Sequence, residues 1–237
     1  MKTEFKIKIF ADGADAEKMK KQYEEGIVSG FTTNPSLIKE ARVRDYKEFA
    51  KNIAKSIPDL PVSFEVFGDD FETMEKEARV ISGLGENIFV KIPSMTTKYE
   101  STAPLVKKLT DSGIKVNITT VMTTEQAEEF IGCVNKDTPC FLSIFAGRIA
   151  DTGADPLPIV KNAVEKSKDN RNLMVLWAST REFYNIIEAE KLGVDAITVP
   201  ESVLKKFKGY GRDLTELSHD AVTAFAKDIK SLNMSIL

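Results

Sequence analysis

The stretch Asn87–Ser94, with the sequence NIFVKIPS, has the composition of a buried β-strand with one charged residue in its middle. Apolar residues that favour strands flank Lys91 on both sides, and Pro93 ends the run. A strand that is apolar at nearly every position is typical of a parallel sheet covered on both faces. An ammonium group inside such a strand is costly unless it is paired or neutral, so Lys91 requires a specific explanation.

Seven further apolar runs alternate with amphipathic helical stretches along the 237 residues. This alternation within the length of one barrel predicts the α/β class, as a (β/α)8 TIM barrel with an extra C-terminal helix. A doubly wound open sheet is the second possibility, but no G-x-G-x-x-G motif opens the first helix. The predicted strands cover residues 6–12, 30–34, 62–67, 88–93, 115–121, 140–146, 173–179 and 196–200.

Capping signals mark several helix boundaries. Thr123 and Gln126, three positions apart, predict a capping box at the start of one helix. Ser179 and Glu182 have the same spacing and predict a second capping box, in a helix that Gly193 ends. We therefore expect this second helix to begin directly after Ser179.

The chain contains no low-complexity linker, so we predict a single domain over residues 1–237. Residues 213–237 have the pattern of one more amphipathic helix, beyond the eighth strand–helix unit. Such a terminal helix is expected either to cap the barrel or to contact a neighbouring subunit.

Composition and charge narrow the class of function. The net charge of -3 argues against a general nucleic-acid binder, although it leaves room for a local basic pocket. No apolar run reaches membrane-spanning length and the N-terminus resembles no secretory signal, so we expect a cytoplasmic protein with no membrane partner. In that compartment Cys133 and Cys140 are expected to be free thiols.

The single histidine, His219, lies in a polar helical stretch. A Ser-His-Asp relay or a His-rich metal cluster would need a histidine elsewhere. Catalysis by this chain must therefore use lysine, carboxylates and hydroxyls, and we expect no metal site.

Polar residues mark the ends of most predicted strands. The C-terminal ends of barrel strands form the active site of TIM-barrel enzymes, so these residues are functional candidates. Individual members also have ordinary interpretations: Asn34 suits a helix N-cap, and threonine favours strands. The candidates are Asp12, Asn34, Glu65, Lys91, Asn117, Thr119, Ser143, Arg148, Ser179 and Arg181.

Glu65 and Lys91 both interrupt apolar strands. One interpretation is a structural ion pair between adjacent strands. The other is that a desolvated lysine is held in its neutral form, which attacks carbonyls and forms a Schiff base. Glu65 would then move protons, either directly or through a water molecule held by Thr119.

Two arginines, Arg148 and Arg181, are candidates for binding an anion. An arginine fork suits a phosphate group, and Ser179 and Arg181 follow the seventh strand, a frequent phosphate position in barrels. The ordinary alternative for Arg148 is a surface ion pair with Asp151. For Arg181, the alternative is an ion pair with Glu182. Together with the lysine, the arginines indicate a class I aldolase-type enzyme that acts on a sugar phosphate.

Five motifs, in order along nearly the whole chain, resemble the transaldolase family in its short form. The first is the most specific, and the second resembles the segment around the Schiff-base lysine of that family. The motifs are SGFTTNPSLI (29–38), IFVKIP (88–93), VNITTVMTTEQA (116–127), FLSIFAGRIAD (141–151) and LWASTRE (176–182).

The resemblance implies a role for each candidate. Lys91 would form a Schiff base with a ketose phosphate, and Asp12 would handle the proton of the C4 hydroxyl. Glu65 and Thr119 would manage the water of imine formation. The resemblance also implies no metal or organic cofactor, sugar phosphates as the small-molecule partners, and a homo-oligomer. Asn34 and Asn117 would hold the dihydroxyacetone unit, Ser143 would line the site, and Arg148, Ser179 and Arg181 would grip the phosphate.

The related fructose 6-phosphate aldolases release free dihydroxyacetone. They tend to have Gln at the position of Glu65 and Tyr at the position of Phe145, so both residues favour the transferase. A non-catalytic sugar-phosphate-binding barrel is a third, weaker possibility.

Three segments depart from the family pattern: ADGAD (11–15), Ile144, and SMTTKYES (94–101), which we expect to border the substrate. These departures leave the donor open between fructose 6-phosphate, sedoheptulose 7-phosphate and a ketose with another anion, such as a sulfonate.

Overall fold

A computed structural model of the chain describes residues 5–232, 234 and 236. The chain divides into two compact units, Met1–Leu204 and Lys205–Leu237. The first contains the sheet and the second contains the terminal helix, and each is described by itself below.

The first unit is a closed barrel of eight parallel strands in sequential order. Each strand pairs with the next along the chain, and the last pairs with the first. The predicted (β/α)8 TIM barrel is therefore confirmed, and the open sheet is excluded. The strands are β1 (Lys8–Asp12), β2 (Gly30–Thr32), β3 (Val62–Glu65), β4 (Ile88–Pro93), β5 (Val116–Val121), β6 (Cys140–Ile144), β7 (Leu173–Trp177) and β8 (Ala196–Pro200).

Helices connect the strands and bury one face against them, as Met74, Ala78 and Ile81 of α4 do. The helices of this unit are α1 (Ala16–Glu24), α2 (Pro35–Glu40), α3 (Tyr46–Ser56), α4 (Phe71–Ser82), α5 (Ala103–Asp111), α6 (Thr124–Cys133), α7 (Ala146–Asp151), α8 (Leu157–Ser167), α9 (Tyr184–Leu192) and α10 (Glu201–Leu204).

Several predicted caps are present. Thr123 and Gln126 form the complete capping box of α6. The Asn34 side chain accepts a hydrogen bond from Leu37 N at 3.0 Å and caps α2. Gly193 ends α9 in the left-handed region, with φ of 75°.

The capping box predicted at Ser179 is wrong. Helix α9 begins at Tyr184, and Ser179 has φ of 63°, whereas an N-cap normally has extended backbone. The Asn185 side chain instead accepts hydrogen bonds from the backbone N–H groups of Arg181 and Glu182, at 3.0 and 3.1 Å. Residues 179–183 therefore form an irregular loop over the barrel.

Aromatic side chains fill the N-terminal end of the barrel. The Phe141 ring contacts Phe10 edge-on, at 5.5 Å between centroids, and Phe89 at 4.6 Å. All three side chains are buried. Because this end is apolar and packed, polar groups inside the barrel lie toward the C-terminal strand ends.

The second unit contains a 3-10 turn (Lys205–Gly209) and α11 (Leu214–Leu232). No residue of α11 is buried. The prediction of one domain, with residues 213–237 reaching a neighbouring subunit, stays a prediction, and residues 233, 235 and 237 lie outside the described part. Among the described residues, no helix is long and apolar enough to cross a membrane.

Candidate active site

A cavity of about 430 Å³ opens at the C-terminal ends of the strands. The sequence-predicted residues come from different strands and connecting loops, and the barrel brings all of them to this one cavity. They are Asp12, Asn34, Glu65, Lys91, Asn117, Thr119, Ser143, Phe145, Arg148, Ser179 and Arg181.

Lys91 of β4 lies deep in the cavity and is 5% exposed. Its Nζ atom donates to the main-chain oxygen of Thr33 at 2.7 Å and lies 3.0 Å from Glu65 Oε2. Glu65 of β3 stands opposite Lys91 in the parallel register, which explains the contact. The structural ion pair between adjacent strands is therefore present, and Glu65 is also the nearest proton acceptor for the amine.

Asp12 ends β1 on another side of the cavity. Its carboxylate accepts hydrogen bonds from Thr32 Oγ1 at 2.8 Å and from Asn34 Nδ2 at 3.4 Å. Burial raises the pKa of Asp12 above its ordinary value of 3.8, although the positive charge of Lys91 opposes the shift. A carboxyl with a raised pKa is a stronger base when ionised, which suits proton transfer.

A chain of hydrogen bonds orients the side-chain amide of Asn117. The amide donates to Ser63 Oγ at 3.0 Å and accepts from Ser143 Oγ at 2.7 Å. All three groups are buried, so the orientation of the amide toward the cavity is well defined.

The Thr119 hydroxyl is buried and has no hydrogen-bond partner among the described residues. An unsatisfied buried hydroxyl that lines a polar cavity has the character of a water or substrate site.

Strand β5 contains an irregularity directly after Thr119. The pairing with β6 shifts by one residue between Ile118 and Val121, and Thr120 has φ of 62°. Ser94 stabilises this bulge, because its backbone N–H and its hydroxyl lie 3.1 and 3.0 Å from Thr120 Oγ1. Bulges of this kind occur next to active sites and redirect side chains.

The expectation that loop 94–101 borders the substrate stays a prediction. No residue of this loop, all of which is described, lines the cavity. Thr97 of the loop contacts Asp69 through its backbone N–H at 2.8 Å and through its hydroxyl. These contacts hold the loop against the β3–α4 connection, which contains Asp69. Tyr99, at the tip of the loop, is 87% exposed.

The two arginines have different surroundings. The Arg148 guanidinium lies over the Phe145 ring, 5.3 Å from its centroid. Arg181 Nε lies 3.1 Å from both carboxylate oxygens of Asp151, and its Nη2 also contacts this carboxylate. Asp151 thus pairs with Arg181, not with Arg148, and the pairing of Arg181 with Glu182 is not observed.

Gly147 allows the two arginine-bearing segments to approach each other. A Cβ atom built on Gly147 would lie 1.7 Å from the carbonyl oxygen of Ser179 and 3.2 Å from Arg181 Cγ. Any side chain at position 147 would therefore displace the loop that carries Ser179 and Arg181.

Sequence reasoning missed several residues that build the site. Thr32 and Thr198 contact each other at 2.5 Å beside Asp12, and both look like ordinary strand threonines in the sequence. Tyr46 binds the main chain of Glu65 from α3, which no local pattern indicates.

The fold and the cavity together define a TIM-barrel enzyme with a buried lysine beside two carboxylates and with two arginines at the mouth. The profile of the family described as "Transaldolase/Fructose-6-phosphate aldolase" matches residues 9–236. The chain belongs to this family.

Individual relatives agree with the family. The chain is 39% identical over 201 residues to a "Probable transaldolase" of Methanococcus maripaludis (strain C7 / ATCC BAA-1331), covering 84% of this chain and 89% of the relative. It is 34% identical to a "Probable transaldolase" of Ruegeria sp. (strain TM1040), covering 98% and 100%. A solved structure of thiamine phosphate pyrophosphorylase from Pyrococcus furiosus matches with a TM-score of 0.56 at 17% identity, covering 82% and 86%, and shows the fold alone.

Proposed function

We propose that this chain transfers a dihydroxyacetone unit from a ketose phosphate to an aldose phosphate, through a Schiff base on Lys91. The observation that supports the proposal most directly is the position of Lys91, which is buried at the base of the cavity, 3.0 Å from a carboxylate. A buried amine with an adjacent proton acceptor is the arrangement required for nucleophilic attack on a ketone.

Imine formation requires a neutral amine. Glu65 takes a proton from the Lys91 ammonium, and the amine then attacks the C2 carbonyl of the ketose to give a carbinolamine. The C2 hydroxyl leaves as water when Glu65 returns the proton, and Thr119 holds that water through its hydroxyl, which bonds to no other described residue. No cofactor enters this sequence.

Carbon–carbon cleavage requires a second base. Asp12 accepts the proton of the C4 hydroxyl, the C3–C4 bond breaks, and its electron pair moves into the iminium to give an enamine on Lys91. The aldose phosphate leaves, and an acceptor aldehyde reverses the steps. Hydrogen bonds from Asn34, Asn117 and Ser143 would hold the three-carbon unit during the exchange.

Arg148, Arg181 and Ser179 would bind the anionic end of both sugars. Asp151 pairs with Arg181 and so reduces the net positive charge that the two arginines offer to an anion. A singly charged sulfonate tail is therefore an informative comparison with a phosphate tail. A panel of ketose phosphates and sulfonates, each tested with and without an aldose phosphate, identifies the donor and the need for an acceptor.

Transfer is favoured over simple aldol cleavage by Phe145. Its ring is covered on one side by Arg148 and adds no hydroxyl near Lys91. The alternative is a fructose 6-phosphate aldolase, which would release dihydroxyacetone rapidly without an acceptor. Phe145→Tyr should raise this release, and rapid release by the unaltered protein would favour the aldolase.

The expected homo-oligomer and the cytoplasmic location belong to the same proposal. Helix α11 exposes a row of large apolar side chains, including Leu217, Val222 and Phe225, which are 49%, 63% and 67% exposed. A second copy of the chain would cover such a surface.

Borohydride trapping tests the proposed function. Reduction in the presence of fructose 6-phosphate should attach a three-carbon group to Lys91, located by peptide mass spectrometry. Lys91→Met should remove the label, whereas Lys107→Met, which changes an exposed lysine of α5, should keep it. An unlabelled but folded wild-type protein, tested across the donor panel, would refute the Schiff-base mechanism.

A further inference from the structure

Tyr46 lies where β3 separates from β2, outside the wall of the cavity. Its hydroxyl donates a hydrogen bond to the main-chain oxygen of Glu65 at 2.9 Å and accepts one from the Glu65 N–H at 2.9 Å. One phenol therefore satisfies both main-chain polar groups of the residue that pairs with Lys91.

The β2–β3 register shows which partner this phenol replaces. Thr33 N donates to Ser63 O at 3.1 Å, so the next bond of a parallel ladder would run from Glu65 N to Thr33 O. That bond is not made. The Thr33 carbonyl instead accepts from Lys91 Nζ at 2.7 Å.

The Glu65 carbonyl also lacks its regular ladder partner. Continuation of the register would place residue 35 opposite it, and Pro35 has no N–H to donate. Toward β4, strand β3 keeps normal pairing, because Val66 N donates to Lys91 O at 3.2 Å. Only the edge toward β2 is open, and Tyr46 fills it.

We propose that Tyr46 is a positioning residue for the chemistry of Lys91. Its hydroxyl occupies the main chain of Glu65 and so reserves the Thr33 carbonyl for the Lys91 amine. Without the hydroxyl, the unpaired Glu65 N–H would be drawn toward the Thr33 carbonyl that holds Lys91 Nζ, and the pair at the base of the cavity would shift. The kinetic consequence rests on the proposed function, whereas the hydrogen-bond competition does not.

The surroundings of Tyr46 suit this role. Its ring packs against Phe64 edge-on, at 6.0 Å between centroids, and against Phe67 at 4.5 Å. Burial raises the pKa of the phenol, so the hydroxyl keeps the proton that it donates to Glu65. Tyr46→Phe removes the hydroxyl and leaves the ring contacts in place.

Kinetics provide the first test. For Tyr46→Phe we expect kcat to fall by about 10-fold or more, with KM changed by less than about 2-fold, because a misplaced nucleophile affects chemistry more than substrate binding. The rate of borohydride trapping at Lys91 should fall by the same factor. Tyr23→Phe, which removes a phenol hydrogen bond to Asp59 far from the cavity, should leave all three values unchanged.

Stability provides a test that needs no activity. In a Lys91→Met background the Thr33 carbonyl no longer accepts a hydrogen bond from Lys91 Nζ. Glu65 N can therefore donate to this carbonyl when the Tyr46 hydroxyl is removed. Tyr46→Phe should then lower Tm by less than half as much as it does in the presence of Lys91. If Tyr46→Phe alone does not fold, the double variant should.

The outcomes separate the two claims. Failure to trap Lys91 in the wild type refutes the proposed function and leaves the stability test intact. An equal Tm decrease in both backgrounds, or a double variant that is also unfolded, overturns the role of Tyr46. Wild-type kcat and trapping rate in a folded Tyr46→Phe protein overturn it as well.

Discussion

Gly147→Ala should damage the proposed anion-binding part of the site, at Ser179 and Arg181, without touching Lys91. The new Cβ would lie 1.7 Å from Ser179 O, and real contacts of this kind stay above about 3.0 Å, so the Ser179 carbonyl must retreat by about 1.3 Å. Arg181 follows in the same loop. A displacement of about 1 Å at a positioning group costs on the order of 100-fold in rate, which equals about 2.7 kcal/mol of transition-state stabilisation.

The assay compares kcat/KM for the preferred ketose phosphate. We expect Gly147→Ala to lower kcat/KM by about 100-fold or more. Free dihydroxyacetone carries no phosphate, so its slow rate of borohydride trapping at Lys91 should stay within about 3-fold of the wild-type rate. The overpacked contact should also lower the free energy of unfolding by about 1–3 kcal/mol.

Gly132→Ala is the matched control. Gly132 also lies in a helix, α6, and a Cβ there meets nothing within 4 Å. This variant should keep full activity and gain about 0.5–1 kcal/mol, because alanine has the better helix propensity. The reasoning would be wrong if Gly147→Ala retained wild-type kcat/KM, or if it slowed both substrates equally.

Three further substitutions test other parts of the site and the terminal helix. Because the pKa of Asp12 is raised in the folded state, this carboxyl stabilises the protein fully below its ordinary pKa of 3.8, and the stabilisation is lost as pH rises through the folded-state pKa. The Tm of Asp12→Asn minus the Tm of wild type should therefore increase with pH in that window. A difference that does not change with pH would contradict the burial argument. Thr119→Val removes a buried hydroxyl that has no hydrogen-bond partner in the described part of the chain, so Tm should not fall, yet the trapping rate should drop by about 10-fold or more. An unchanged rate would exclude a role of Thr119 in handling water. Phe225→Glu on the apolar side of α11 should reduce the mass measured by light scattering if the wild type is a homo-oligomer, and an unchanged oligomer would show that α11 is not the contact.

The sequence predicted the barrel well because its signals are local. Each strand is a short apolar run, and strands of this kind, buried on both faces, leave little choice of architecture. The prediction that strand ends carry the site follows from the same rule, and it placed every candidate at one cavity.

Two of the misjudged strand boundaries have a common physical cause. Strand β2 was expected to reach residue 34 but ends at Thr32, because the Thr33 carbonyl binds Lys91 and the Asn34 side chain caps α2. Strand β3 was expected to reach residue 67 but ends at Glu65, where the Tyr46 hydroxyl hydrogen-bonds to the main-chain N–H and oxygen of Glu65. At both strand ends, side chains distant in sequence replace the backbone pairing, and no local pattern records such exchanges.

The pairing of Arg181 was also out of reach. Asp151 is thirty positions away, and the two meet because Gly147 permits close approach of α7 to the loop after β7. The sequence offered only nearer partners, Glu182 for Arg181 and Asp151 for Arg148, because it does not show which loops the fold brings together.

The outward course of loop 94–101 bears on how this barrel can diverge. Its tip follows Asp69 and leaves the cavity wall to other segments. Changes at the exposed tip of this loop, around Tyr99, can therefore accumulate without altering the cavity wall. Relatives with new donors should differ instead around Phe145–Asp151 and residues 179–181, and the exposed Tyr99 position offers a place to attach a reporter dye that leaves turnover intact.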